Sequence, residues 1–255
     1  MKDFVVAAQL YTLRDYLKTP EDIRKSLKKV SEMGYTAVQV SGIGKIDPAE
    51  LKDITDEYGL KICATHISPD DIVNDFDNVV EKHKLWDCKY VGVGGLPTAY
   101  RDSAEGFKTF AKEFSVQAKK LADKGLQFIY HNHRFEFENF DGRTGMQILF
   151  EETAPEFGFE IDTFWVQSGG ASPLEWVYKT DGRMHVIHFK DMGIKANEQI
   201  MTPIGRGNLQ WKEIIEACRK TAVEWAPVEQ DHCYDESPFD CLKESLDFCN
   251  KMMKE

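Results

Sequence analysis

Apolar residues recur along the chain in two alternating rhythms. In TPEDIRKSLKKVSEMG, Ile23, Leu27 and Val30 share one helical face. Thr19 supplies an N-cap, Pro20 suits the first turn, Asp22 follows three residues after the cap, and Gly34 closes the end. DPAELKDITDEYG repeats the device with Asp47, Pro48, Glu50, the stripe Leu51/Ile54/Tyr58 and Gly59. Ser172-Pro173 and Ser237-Pro238 open two more helices. The pattern predicts helices over 19–33, 48–58, 70–85, 103–124, 143–153, 172–179, 209–219 and 238–253. Short β-rich runs precede them: FVVAAQL (4–10), TAVQV (36–40), KICATH (61–66), YVGV (90–93), QFIYH (127–131), FGFEID (157–162), HVIHFK (185–190) and VEWAPVE (223–229). Eight strands, each followed by a helix with no linker between, predict α/β class and a single (β/α)8 TIM barrel domain over residues 1–255. A doubly wound open sheet would carry a Gly-rich phosphate loop after its first strand, and QLYTLRD has no glycine.

In such a barrel the chemistry lies at the C-terminal ends of the strands. Those ends offer Gln9 and Tyr11, Gln39 and Ser41, His66, His131, Asp162, His188 and Lys190, and Glu229 with Gln230 and Asp231. Strand 4, running into Gly94-Gly95, has no polar end. Any one exit reads equally well as the start of a solvated loop. Four ligand-type residues on consecutive strands 5 to 8 are harder to set aside. His131, Asp162, His188 and Glu229 offer two imidazoles and two charge-balancing carboxylates to one divalent metal ion. Mixed nitrogen and oxygen ligation suits Mn, Co, Fe or Zn better than Mg or Ca. The alternative is that Asp162 caps a loop and the histidines are hydrogen-bonded at the barrel rim.

Charge and composition narrow the partners. The net charge is −11, from 32 basic and 43 acidic residues, and no basic cluster interrupts it, so a nucleic-acid partner is not expected. No run approaches the roughly 18–20 apolar residues of a membrane span, and the N-terminal apolar run is too short for a signal peptide. Six cysteines without a CxxC pair read as reduced thiols. A cytoplasmic enzyme with a small-molecule partner is expected; homo-oligomerisation is left open.

Four of these segments resemble the xylose-isomerase-like barrel superfamily of sugar isomerases and epimerases, which includes ketohexose 3-epimerases, inosose dehydratase and an apurinic endonuclease. EIDTFWVQ is similar to the strand-6 motif of the 3-epimerases and implies Asp162 as a ligand. VIHFKD implies His188, and PVEQD implies Glu229. TPIGRGNLQW resembles the segment whose arginine contacts substrate, which implies that role for Arg206. Two departures stand out. His131 occupies the place of an epimerase glutamate, in a run, YHNHRFEF, closer to the inosose dehydratase branch. Trp165 replaces an epimerase histidine.

The resemblance implies Glu229 as the base that removes a proton next to a substrate carbonyl, giving an enediolate. His133 and Glu136 are the candidates for a second acid/base; the alternative for each is a hydrogen-bonded rim residue. His66 is expected to bind a sugar hydroxyl, and Lys190 and Arg206 to hold hydroxyls or a phosphate. The alternatives are an Asp191 pair for Lys190 and a mere turn around Arg206. Trp165, with Tyr130, Phe135 and Phe164, offers an apolar floor for sugar C–H faces, against ordinary core packing. His83, His185 and His232 read as structural. The expected activity is isomerisation or epimerisation of a ketose or its phosphate. A metal-dependent lyase is the alternative, and the endonuclease reading is disfavoured by charge and by a single ligand quartet.

Overall fold

A computed structural model describes residues 3–254, so the ends of the expected 1–255 span (residues 1, 2 and 255) lie outside the described residues. Eight parallel strands close into a barrel: strand 1 (Val5–Gln9), strand 2 (Ala37–Val40), strand 3 (Lys61–Ile67), strand 4 (Tyr90–Val93), strand 5 (Gln127–His131), strand 6 (Phe157–Asp162), strand 7 (Val186–His188) and strand 8 (Trp225–Val228). Each pairs with its sequence neighbours, and strand 1 closes on strand 8 through Val5↔Trp225 to Ala8↔Val228. This is the expected (β/α)8 barrel.

Local chemistry explains the outer helices. Thr19 and Asp22 form a reciprocal capping box for Pro20–Glu32, and Thr144 and Gln147 do the same for Gly145–Glu152. Alternation along the strands sends Phe128 and Tyr130, or Phe157, Phe159 and Ile161, outward into the apolar layer beneath the helices. Inside, the barrel is plugged by smaller groups such as Ala7, Ala37, Cys63, Ile129 and Val186, with Tyr90. Above that plug the interior turns polar, which is where the candidate chemistry begins.

Three features differ from the periodic reading. The helix expected over 70–85 is two, Pro69–Asn74 and Phe76–Leu85, broken at Asp75 (φ −135, ψ 38). Adjacent Asn74 and Asp75 favour such breaks because their side chains compete for backbone groups, and Asp75 Oδ2 accepts from Asn78 Nδ2 at 2.7 Å. A short helix, Thr163–Ser168, follows strand 6 directly, with Asp162 as its cap. Two hairpins decorate the barrel mouth. One pairs Asn139–Phe140 with Arg143–Thr144 across Asp141-Gly142, both at positive φ, a turn signal that strand periodicity overlooks. The other pairs Asp191–Lys195 with Glu198–Thr202.

Candidate functional site

The ends of strands 5 to 8 converge. His131, Asp162, His188 and Glu229 are all buried, and one ligand atom from each lies within 4.8 Å of the others. Four tetrahedral donors at bonds of about 2.0–2.2 Å lie roughly 3.3–3.6 Å apart, so the widest pairs would close by about an ångström around an ion. Burial disfavours a charge on His188, but the Glu160 and Glu229 carboxylates outweigh it and raise the imidazole well above its ordinary range, so an ion taking Nδ1 would displace a proton. His188 Nε2 lies 2.7 Å from Gln39 Oε1, which can only accept, so that nitrogen carries the hydrogen. Nδ1 is left facing Glu229 Oε2 at 3.1 Å and Asp162 Oδ2 at 3.8 Å. His131 Nε2 lies 3.3 Å from Asp162 Oδ2, and its buried Nδ1 has no partner.

Asp162 is held rigidly. Its backbone N–H donates to Asn132 Oδ1 at 3.0 Å, and its Oδ1 accepts from Trp165 N at 2.9 Å, which leaves Oδ2 for the site. Burial opposes its ionisation, but the Lys190 ammonium and hydrogen bonds from His131 and His188 outweigh this and hold the carboxyl well below its usual range. Glu229 is likewise disfavoured by burial and likewise held ionised, by Lys190 and His188.

Lys190 is buried among carboxylates. Its Nζ lies 2.6 Å from Asp231, 3.1 Å from Glu229 and 3.6 Å from Asp162, so the alternative pairing with Asp191 does not occur. Burial would discharge it, but these three neighbours keep it an ammonium. Asp191 instead accepts from the backbone N–H of Gly205 and Gly207, shaping the loop after strand 7.

Above the quartet opens a cavity of about 440 Å³, within the range of small-ligand sites. Tyr11, Arg14, Ser41, His66, His133, Lys190, Asp231 and His232 line it together with His131 and Glu229. His232, expected to be structural, is thus at the mouth. A groove of about 820 Å³ between Glu105 and Ala154 is larger, but among the described residues no ligand-type cluster lies in it. Burial and its neighbours His131 and Lys190 push the His133 imidazole down to about 3, so it is neutral at pH 7. Trp165 stands behind it, its ring 5.4 Å from that of His133 and 5.1 Å from Lys190 Nζ. His83 is structural as expected, bonded to Thr65 Oγ1 and Val79 O.

Two expected site residues lie elsewhere. Glu136 is fully buried but does not line the cavity. It accepts from the Tyr130 hydroxyl at 2.6 Å and from His133 N at 2.9 Å, because Tyr130 points outward from the barrel and draws the carboxylate with it. In this position Glu136 holds the His133 loop and does not reach the cavity. Burial lifts its carboxyl to about 7, against hydrogen bonds that favour the charge. Its proton is thus bound more tightly in the folded than in the unfolded chain. The associated stability is present below about pH 4.5 and is lost as pH rises through about 7, roughly 3 kcal/mol in all. Glu136→Gln is expected to flatten that loss in thermal midpoints taken from pH 4.5 to 8.5. An unchanged pH slope would contradict it.

Arg206 also lies away from the cavity. Its guanidinium pairs with Glu236, 2.9 Å from both oxygens, and with Glu244, on a half-exposed surface. Arg206→Ala is expected to lower stability by about 1 kcal/mol or less and to leave KM within about twofold of the parent. A tenfold rise in KM with unchanged stability would restore the substrate contact.

One residue escaped the strand-exit reading. Glu160, fully buried inside strand 6, accepts from Gln39 Nε2 at 2.8 Å and faces His66 Nε2 at 2.5 Å and His188 Nε2 at 3.2 Å. Period-two alternation in FGFEID places it on the same face as Asp162, which is the signal that could have found it.

A family model described as xylose isomerase-like TIM barrel matches residues 27–252. No curated protein matches the chain in sequence. Among solved structures, a sugar phosphate isomerase/epimerase from Parabacteroides distasonis superposes with a TM-score of 0.80 at 21% identity, covering 98% of each chain. A D-allulose 3-epimerase from Methylomonas sp. gives 0.71 at 16%, covering 99% of each. A probable 3-DHS dehydratase from Bacillus anthracis gives 0.72 at 13%, covering 97% of this chain and 99% of its own. At such identities the likeness is one of fold.

Proposed function

The chain belongs to the xylose isomerase-like TIM barrel family, and from that premise we propose that it is a divalent-metal-dependent isomerase or epimerase of a ketose or sugar phosphate. The observation that carries this reading is the buried quartet His131, Asp162, His188 and Glu229 on the floor of a polar cavity. An ion bound there, with Mn, Co, Fe or Zn preferred over Mg, supplies Lewis acidity toward the oxygens of an α-hydroxy ketone. Neutral His131 and His188 would hold such an ion without adding charge, and Asp162 and Glu229 would balance it. Glu229, with the carboxylate oxygen not turned toward the quartet, takes the proton from the carbon beside the carbonyl, leaving an enediolate. Lys190, held by Asp231 and Glu229, sits where it can donate to a substrate hydroxyl or phosphate oxygen. His133 walls the cavity at the strand-5 end, with Trp165 packed behind it.

A lyase is the second reading. His131 stands where the epimerases carry a glutamate, so the two-glutamate proton exchange of those enzymes is missing one partner. The same enediolate could then expel a β-substituent. The endonuclease reading is weakened by the net charge of −11. All six cysteines are free thiols, five of them buried, which supports a reducing, cytoplasmic setting. Among the described residues no helix is long and apolar enough to cross a membrane.

The test is incubation of Mn²⁺-loaded protein in D₂O with D-fructose, D-fructose 6-phosphate, an inosose and methyl 3-keto-D-glucoside. Deuterium at the carbon next to the carbonyl is expected in at least one recovered or rearranged sugar. Loss of water or methanol would select the lyase. No deuterium and no product from any of the four would sink the enediolate reading.

A further inference from the structure

The end of strand 4 looks blank in sequence because its polar content is borrowed. A Cβ at Gly92 would come 2.9 Å from His66 Cδ2, one at Gly94 3.1 Å from His66 Nδ1, and one at Gly95 3.1 Å from His133 Cε1. These glycines form a slot in which two imidazoles stand. His131 is a candidate metal ligand and His133 has no carboxylate partner, but His66 is fixed from the other side as well. Its Nε2 lies 2.5 Å from Glu160 Oε2. Glu160 is anchored in turn by Gln39 Nε2 at 2.8 Å and is sealed from solvent. An ionised carboxylate can only accept, so Nε2 carries the hydrogen and Nδ1 keeps its lone pair. Nδ1 is the nitrogen nearest Ser41 Oγ, at 3.5 Å, and nearest Gly94; both residues line the cavity. The ring therefore turns its acceptor nitrogen toward the cavity wall at Ser41 and Gly94, and its centroid stands 5.2 Å from that of His131 and 5.3 Å from that of His188.

We propose that His66 is a catalytic residue, the second proton carrier beside Glu229, and that Glu160 is the residue that positions it. This rests on the reading of the cavity as an enediolate site. Glu229 takes the carbon-bound proton; the C–H pair becomes the C=C π pair, and the carbonyl π pair moves to its oxygen. His66 Nδ1 takes the proton of the neighbouring hydroxyl, breaking O–H and forming N–H. Both protons return to the sugar in the product-forming step, so no outside reactant is needed. The imidazolium formed in between faces the Glu160 carboxylate, which balances its charge. His133, whose ring packs on those of His131 and Trp165 and whose buried Nδ1 has no hydrogen-bond partner, is not anchored to a carboxylate in this way.

The experiment uses Mn²⁺-loaded parent protein, His66→Ala, Glu160→Gln and Gly94→Ala, with whichever of the four sugars exchanges fastest. Deuterium uptake at carbon, product formation and bound Mn²⁺ are measured side by side. His66→Ala is expected to keep its metal and its carbon exchange while product formation falls by about 10²–10⁴-fold, with partial rescue by added imidazole. Glu160→Gln is expected to lower kcat by roughly 10–100-fold at unchanged KM and metal content, an effect of lost charge balance that a packing role would not produce. Gly94→Ala alters neither member of the pair and only presses on the ring; it is expected to slow product formation without touching exchange, and it decides the matter if His66→Ala does not fold. Normal product formation in His66→Ala or, failing that, Gly94→Ala would overturn the assignment. So would loss of carbon exchange with metal retained, or loss of metal from His66→Ala or Glu160→Gln, which would make the pair part of an ion site. Absence of exchange in the parent protein would instead sink the enediolate reading itself.

Discussion

Asp162→Asn is expected to give a folded barrel that no longer retains a tightly bound divalent ion and has lost at least about 10³-fold in kcat/KM. The amide keeps the oxygen that caps Thr163–Ser168, and Asn is as good an N-cap as Asp, so the backbone has no reason to shift. What disappears is one of two negative charges in the ligand quartet. In its place an N–H₂ group faces His131, His188 and Lys190, whose atoms lie 3.3 to 3.8 Å from Oδ2. If bound metal supplies several kcal/mol of charge stabilisation to the transition state, 4 kcal/mol alone is about a thousandfold in rate. Elemental analysis, turnover and circular dichroism on one preparation check all three parts. Full activity without metal would remove the ion from the chemistry.

The second large effect concerns stability. Lys190→Met keeps the length and packing of the stem but removes the ammonium from among Asp162, Glu229 and Asp231. Breaking a buried ion pair from one side costs about 3–5 kcal/mol, because the partners remain buried and uncompensated. For a chain of this size that is a midpoint drop of roughly 6–20 °C in chelator. Saturating Mn²⁺ is expected to recover most of it, since the dication balances Asp162 and Glu229 in place of the lost ammonium. Lys190 also competes with the ion for those carboxylates, so the metal-induced rise in midpoint should be larger in the variant than in the parent. Equal rises, measured by differential scanning fluorimetry across a Mn²⁺ titration, would mean that ion and lysine do not share ligands.

How far this site could be read from sequence depended on geometry of one kind. Strand ends are legible because barrel topology places every exit at the same mouth; that is why His131, Asp162, His188 and Glu229 were found on separate strands and meet within 4.8 Å. Glu160 lies one step of the pleat below, inside the strand rather than at its exit, although its alternation with Asp162 was available. The position of Glu136 was not legible, because the residues after strand 5 turn it toward the hydroxyl of outward-facing Tyr130. The ion pairs of Arg206 were illegible for a different reason: its partners Glu236 and Glu244 come from the far end of the chain, and no local pattern announces them. The hairpins were missed where short strands lie between longer periodic elements. The empty end of strand 4 became intelligible only once the imidazoles beside it were in place.

The central claim is that one divalent ion is held by these four side chains. Anomalous diffraction from crystals grown with Mn²⁺ tests it most directly. The account predicts a single strong peak inside the barrel mouth, about 2.0–2.3 Å from one atom each of His131, Asp162, His188 and Glu229. No peak there, or an ion bound without Asp162 and His188, would contradict it.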